Sequence, residues 1–140
     1  MSLTRFLDAQ NGMYEVALSE IRTGRKKSHW IWFIFPQIKG LGKSSTSQQY
    51  ALESLDEAKK YLSNDVLRTR LLEICEALLN LETTDSLAVM GSPDNRKLRS
   101  SMTLFSIADS TCSTFQDVLD KFYIGKPDAR TLKILQSSET

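Results

Sequence analysis

The sequence SHWIWFIFP, from Ser28 to Pro36, contains the most apolar stretch of this 140-residue chain and decides how the rest is interpreted. Short apolar runs rich in aromatic residues and isoleucine suit a buried strand as well as a buried helix. A lone strand in an otherwise helical chain would leave its backbone N–H and C=O groups unpaired. The stretch is therefore predicted to be a short buried helix that Ser28 caps and Pro36 ends.

Apolar residues at helical spacing account for most of the remaining chain. On the N-terminal side they run from Leu3 to Ile21, are interrupted at Asn11-Gly12 and stop at Gly24, which indicates a helical pair or one broken helix. On the C-terminal side the predicted helices are 54–64 from a Ser54/Glu57 capping box, 65–81 capped by Asp65, 93–108 capped by Ser92, 113–125 from a Ser113/Gln116 capping box, and a last one capped by Asp128 that includes Leu132 and Leu135. The fold class predicted is all-α: a compact single-domain bundle (1–140) of about seven short-to-medium helices with no sheet.

Composition indicates an ordinary globular protein, since 41% of the residues are hydrophobic and 25% charged. Cys75 and Cys112 lack the spacing of a zinc site or redox pair and are read as free thiols in a reducing compartment. No secretory signal begins the chain, so a cytoplasmic protein is expected. The apolar stretch from Trp30 to Phe35 falls far short of the roughly 20 residues that span a bilayer, which excludes a membrane span.

Charge gives no bulk reason to bind nucleic acid, because the formal net charge is +1. The clustered basic residues, Arg22, Arg25, Lys26 and Lys27, are typical of a solvated helix end.

His29 is the only histidine, which rules out a metal site with two histidine ligands in one chain. We predict no metal and no cofactor. Two interpretations of His29 stay open. In one, it heads the buried aromatic helix with a ring nitrogen bonded to a backbone carbonyl. In the other, it contacts a ligand or acts as an acid or base, with Trp30 and Trp32 as stacking walls.

The loop from Gln37 to Ser44 partly matches a phosphate-binding loop. Its Gly42-Lys43-Ser44 fits the last three positions of G-x-x-x-x-G-K-[ST], but Gln37 stands where the first glycine belongs and no strand precedes it. A nucleoside triphosphatase is not predicted. A simpler anion-binding loop, with backbone N–H groups and Lys43, stays open.

The helix predicted over 93–108 carries polar residues where apolar ones are expected. On a helical wheel, Asp94, Lys97 and Ser101 point into an apolar arc formed by Leu98, Met102, Leu104, Phe105 and Ala108, and the opposite face holds Arg96, Arg99, Thr103 and Ser106. Buried polar groups cost desolvation unless they are paired. One interpretation is an Asp94–Lys97 pair whose lysine amine reaches water. The other is that Lys97, Ser101 and Ser100 line a cleft that binds an anionic or sugar-like ligand.

Residue blocks along almost the whole chain resemble a known family. They are Arg5-Phe6, Tyr14, Gly24-Arg25-Lys26-Lys27-Ser28-His29-Trp30, Trp32-Phe33, Phe35-Pro36-Gln37, Gly40-Leu41-Gly42, and Lys97-Leu98-Arg99-Ser100-Ser101-Met102-Thr103-Leu104-Phe105. They look like the signature blocks of the domain-of-unknown-function "eighteen-ten" family. The resemblance implies a compact all-helical protein without an established activity. The label calpastatin, which some members carry, does not fit, because such inhibitors are disordered and this composition is that of a folded domain.

A fainter similarity links Thr46-Ser47-Gln48-Gln49-Tyr50 to the NAD/ADP-ribose-associated glycosidase (NADAR) superfamily. That superfamily has an acidic residue where this chain has Gln48. A neutral amide cannot act as a general acid or base, so the departure argues against glycosidase catalysis even if ligand binding were retained.

Two functional hypotheses follow. The first is a small-ligand-binding domain, with catalysis left open, whose cleft lies between residues 28–42 and 92–108. Its ligand is anionic and nucleotide- or ribose-like, and the candidate contacts are His29, Trp30, Trp32, Gln37, Lys43, Lys97, Arg99, Ser100 and Ser101. The second is a non-catalytic interaction or structural domain that binds a protein through residues 22–27 or an exposed helix face. The oligomeric state is not predicted.

Overall fold

Ten helices and no strand are found in the part of the chain that the computed structural model describes, residues 2–138. In chain order they are α1 Thr4–Gln10, α2 Tyr14–Arg22, α3 Ile31–Ile34, α4 Ser45–Gln49, α5 Leu55–Ser63, α6 Asp65–Leu79, α7 Ser86–Met90, α8 Asp94–Ala108, α9 Thr114–Tyr123 and α10 Ala129–Ser138. The all-α prediction is confirmed, although the helices number ten instead of about seven. The helices that were not predicted, α4 and α7, have five residues each, too few to show an amphipathic repeat.

Helix α8 is the centre of the fold and packs against α3, α5, α7, α9 and α10. Because neighbours surround it, residues 100–105 are all buried. The placement of Thr103 on an opposite, polar face was therefore wrong. Thr103 is fully buried, and its Oγ1 donates to the Arg99 carbonyl at 2.8 Å and accepts from the Asp128 N–H at 2.8 Å.

The apolar segment from Ser28 to Pro36 contains a single buried helical turn. Helix α3 begins only at Ile31, and Trp30 occupies its N-cap position without a side-chain cap. The prediction that Ser28 caps this helix is wrong, because the Ser28 hydroxyl donates instead to the Glu20 carboxylate. The helix ends at Ile34, just before Pro36, as a proline requires.

The predicted N-cap residues are confirmed at some helices and wrong at others. Ser54 accepts from the Glu57 N–H as predicted. Asn64, not Asp65, caps α6, because Asn64 has the extended backbone that a cap needs and Asp65 is already helical. Ser113 has a helical backbone and makes no cap hydrogen bond, and Pro93 takes the N-cap position of α8 in place of Ser92.

Within residues 2–138, no helix has both the length and the apolar character needed to cross a membrane. Cys75, which is buried, and Cys112, which is partly buried, are both free thiols.

Candidate functional site

A cleft of about 350 Å³ lies where the loop after α3, the first turns of α8 and the start of α10 meet. Its size falls in the range of small-ligand pockets. Its cationic lining residues are Arg96, Lys97, Arg99 and Arg130, and its other lining residues are Gln37, Leu41, Gly42, Pro93, Ser100 and Asp128. This strongly basic cleft is the candidate site.

The loop that forms one wall is held by backbone contacts. Ile38 and Leu52 form an isolated parallel bridge, in which Leu52 N–H donates to the Gln37 carbonyl at 2.9 Å. At Gly42 the backbone comes so close to α4 that an added Cβ would lie 2.4 Å from the Ser47 Cβ, a distance that side chains do not tolerate. The glycine is therefore needed for the close approach that places this wall.

Lys97 reaches the cleft from α8 and lies over Trp32. Its Nζ is 5.2 Å from the centroid of the indole ring, a cation–π contact, and 3.7 Å from the Asp94 Oδ1. The Lys97 side chain is 23% exposed. The predicted Asp94–Lys97 pair thus exists, but it is long and leaves the ammonium at the edge of the cleft.

Asp94 has a closer partner in Lys26, whose Nζ lies 2.7 Å from the Asp94 Oδ2. The Lys26 side chain is only 6% exposed and its Nζ lies 4.9 Å from the centroid of the Trp30 ring. The side chain of Lys26 therefore connects the segment before α3 to the start of α8 through a buried ion pair. Its neighbours Arg22, Arg25 and Lys27 are exposed, so only they form the solvated basic face that the sequence predicted.

Glu20 anchors the same segment from α2. Its Oε1 accepts from the backbone N–H groups of Lys27 and Ser28 at 2.8 and 2.9 Å, and from the Trp30 indole N–H at 2.9 Å. Burial raises the pKa of the Glu20 carboxyl, but hydrogen bonds from the Ser28 hydroxyl, these N–H groups and the indole outweigh it and lower the pKa to about 2.

Another wall of the cleft is formed by residues 126–130, before and at the start of α10, and is hydrogen-bonded to α8. Arg99 Nε donates to the Lys126 carbonyl at 2.9 Å, and the Asp128 N–H donates to Thr103 Oγ1 at 2.8 Å. Asp128 caps α10, as predicted, by accepting from the Thr131 N–H at 2.9 Å. These contacts hold Asp128 and Arg130 at the cleft.

Four of the predicted site residues come together in this cleft: Gln37, Lys97, Arg99 and Ser100. Ligand contact by them remains a prediction. Trp32 is partly buried beside them, under Lys97.

The other five predicted site residues, Trp32 among them, do not line the cleft. His29 is exposed, and its ring makes no hydrogen bond within residues 2–138, so of the two interpretations left open the one with a ring nitrogen bonded to a carbonyl does not describe this structure. Trp30 has no exposed surface, so in this structure it offers no ring face on which a ligand could stack. Ser101 is fully buried on α8, and Lys43 is exposed one residue beyond the lining loop.

Sequence reasoning missed Arg96, Asp128 and Arg130 as cleft residues. The helical wheel puts Arg96 on the face opposite the apolar arc, and the sequence indicates Asp128 only as a cap. No local pattern connects Arg130 to the loop, although one of its guanidinium nitrogens lies 3.5 Å from the Leu41 carbonyl, 89 residues away.

The chemistry that these groups offer is anion binding. The lining includes one carboxylate and one hydroxyl, and it holds neither histidine nor cysteine. In the described part of the chain, no group of three or more histidine, cysteine, aspartate or glutamate residues could hold a metal ion. A second cleft of about 340 Å³ has the opposite character, because it is lined by Glu73 and Glu76 against a single Arg22.

Comparisons with known proteins agree with this fold. A family model described as "Protein of unknown function (DUF1810)" matches residues 1–135. The crystal structure of the conserved hypothetical protein Rv1873 from Mycobacterium tuberculosis is similar, with 41% sequence identity, a TM-score of 0.94 and 96% of each chain covered. No curated protein matches the chain. The comparisons show the family that the sequence resembles and do not show the NADAR superfamily.

Proposed function

This chain belongs to DUF1810, a family of proteins of unknown function, and we propose that it binds a small phosphate-bearing ligand of the nucleotide or ribose-phosphate class in the basic cleft. The observation that carries the proposal is the unneutralised charge of that cleft. Arg96, Arg99 and Arg130 form no ion pair with any carboxylate in residues 2–138. The cleft therefore presents three guanidinium charges that no carboxylate of the described residues neutralises.

Phosphate is the anion that this lining fits best. A guanidinium presents a planar fork of N–H donors that matches phosphate oxygens bidentately, and the lining has three arginines. A cleft lined mainly by charges of the same sign also focuses the electrostatic field and attracts ligands of the opposite charge. Trp32 does not line the cleft itself, but its indole lies under the ammonium of Lys97, with Nζ 5.2 Å from the ring centroid, and so supports the position of this cation.

A thermal-shift panel tests this proposal on the whole chain. The panel contains ADP-ribose, NAD, ADP, ribose 5-phosphate and pyrophosphate. A ligand present at 100 times its dissociation constant should stabilise the protein by about 2.7 kcal/mol, which is measurable. If no member shifts the melting temperature at millimolar concentration, this ligand class is wrong.

Matched variants locate the site. Lys97→Gln and Arg130→Gln remove charges that line the cleft, so the ligand-induced shift should largely disappear. Lys43→Gln and Lys133→Gln remove exposed charges from the neighbouring loop and the same helix without touching the lining, so the shift should persist. Equal loss in both sets would mean that binding reflects only net charge.

A non-catalytic protein-interaction domain is the second candidate, and the observation that favours it is the exposure of Arg22, Arg25 and Lys27 on one stretch of chain. Replacing Arg25 and Lys27 with glutamate would abolish such an interaction and leave the ligand-induced shift intact. Under either proposal the protein is placed in the cytoplasm, where its two thiols stay reduced.

A further inference from the structure

Asp128 is the acidic residue among the cleft-lining side chains, and four cationic residues line the same cleft. A carboxylate in an anion-binding cleft repels the ligand unless it accepts a hydrogen bond from it. The presence of Asp128 therefore indicates that the ligand carries a hydrogen-bond donor in addition to its negative charge.

One oxygen of this carboxylate is already used. Asp128 Oδ2 accepts from the Thr131 N–H at 2.9 Å and from the Thr131 hydroxyl at 2.6 Å. Oδ1 has no hydrogen-bond partner in residues 2–138, and no lysine or arginine of that range lies within 4.0 Å of the carboxylate. Oδ1 is thus a free acceptor.

The position of this acceptor is determined by α8. The Asp128 N–H donates to the fully buried Thr103, and the carbonyl of Lys126, two residues earlier, accepts from Arg99, which also lines the cleft. A preorganised acceptor loses little freedom when a ligand donor reaches it.

We propose that Asp128 is a specificity-determining residue whose Oδ1 accepts a hydrogen bond from a sugar hydroxyl of the ligand, so that the cleft selects hydroxyl-bearing phosphates over bare phosphates. The inference rests on the function proposed above. A hydroxyl suits the position better than an ammonium, because the four cationic side chains of the cleft would repel a positive donor.

Helix capping alone would not require a carboxylate here. The cap uses only Oδ2, and asparagine caps helices about as well as aspartate. In Asp128→Asn the amide oxygen can keep the cap by taking the place of Oδ2, and the free Oδ1 acceptor is then replaced by an uncharged N–H₂ donor, which makes it the variant of choice.

Calorimetric titration of the full chain with three probes tests the inference: ADP, 2′,3′-dideoxy-ADP and pyrophosphate. The wild type should prefer ADP over its dideoxy form by about tenfold, since a hydrogen bond to a charged acceptor contributes that much. In Asp128→Asn the preference should fall below about threefold. Pyrophosphate should bind the variant as well as the wild type or better, because a repulsive charge is gone.

Asp120→Asn, an exposed aspartate on α9 outside the lining, is the matched control and should keep the wild-type preference. The inference is overturned if the wild type binds ADP and dideoxy-ADP equally, or if Asp128→Asn retains the preference. It is also overturned if Asp128→Asn loses ADP and pyrophosphate in equal proportion, which would indicate a purely structural role. In each of these cases wild-type binding of pyrophosphate upholds the proposed function, whereas failure of all three probes to bind the wild type overturns both.

Discussion

Ile124 holds a left-handed backbone conformation at the end of α9, with φ of 57°. For a β-branched residue this conformation is strained, because Cβ comes too close to the neighbouring carbonyl. The side chain is 87% exposed, so no packing compensates for the strain.

We predict that Ile124→Gly stabilises the protein. Glycine adopts positive φ without the Cβ clash, and the expected gain is about 0.5–1 kcal/mol in the free energy of unfolding. Urea denaturation measures it. Val16→Gly, at an exposed position inside α2, is the control and should lower stability by a similar amount. A loss of stability in Ile124→Gly would contradict the assignment of strain.

Ser101 and Thr103 are both fully buried on α8 but differ in their hydrogen bonds. The Ser101 hydroxyl has no partner among residues 2–138, whereas the Thr103 hydroxyl bonds to two backbone groups. Ser101→Ala should therefore be neutral or stabilise by up to about 1 kcal/mol, and Thr103→Val should cost about 1–2 kcal/mol. Thermal unfolding of the pair checks this, and the opposite order would refute it.

At the scale of elements, Glu20 connects α2 to the extended segment before α3. Its folded-state pKa of about 2 lies below the ordinary value of 4.5. A carboxyl with a depressed folded-state pKa contributes stability that is present above about pH 4.5 and is lost as the pH falls from there toward 2.

Glu20→Gln should therefore destabilise the protein by about 2 kcal/mol at pH 6–7, because its amide N–H₂ would face hydrogen-bond donors. The difference from wild type should shrink as the pH drops below 4.5 and should vanish near pH 2. Denaturant titrations between pH 7 and pH 2 measure both curves. Glu15→Gln, an exposed substitution on the same helix, should run parallel to wild type.

At the scale of the whole molecule, the cleft is formed by three stretches that are far apart in the chain, near residues 37–42, 93–100 and 126–130. A ligand that bridges them must stabilise all three together. With pyrophosphate as the probe, amide hydrogen exchange should slow in each stretch and stay unchanged around Glu73 and Glu76 of the second cleft. Protection confined to one stretch would mean that the ligand does not sit in the cleft.

Much of the fold could be predicted because the sequence signals of a helix lie close together in the chain. The stripe in α6, the Ser54 cap and the stop at Gly24 each depend on residues within a turn or two of one another. The prediction failed at α4 and α7, which have five residues each and show no amphipathic repeat, and where a cap depends on backbone dihedrals, as at Ser113.

The candidate site was only partly predictable for the same reason. The wheel of α8 correctly marked Lys97 as a polar residue that needs a partner, and the cleft contains it. The wheel could not assign Thr103, because a central helix is covered on the side that a wheel marks as polar. The sequence of the segment around α3 also does not show that Trp30 is fully buried in the core while Trp32, two residues later, lies beside the cleft.

The amino-acid pattern alone predicts the helical class and the position of the longer helices, because the 3.6-residue period is present within each segment. Which charged groups meet depends on how the helices pack. Lys26 pairs with Asp94 across the fold, and Arg130 reaches the loop at Leu41 over a separation of 89 residues. Such contacts are set by how helices pack, which no local period encodes, so the basic cleft appears only when the chain is folded.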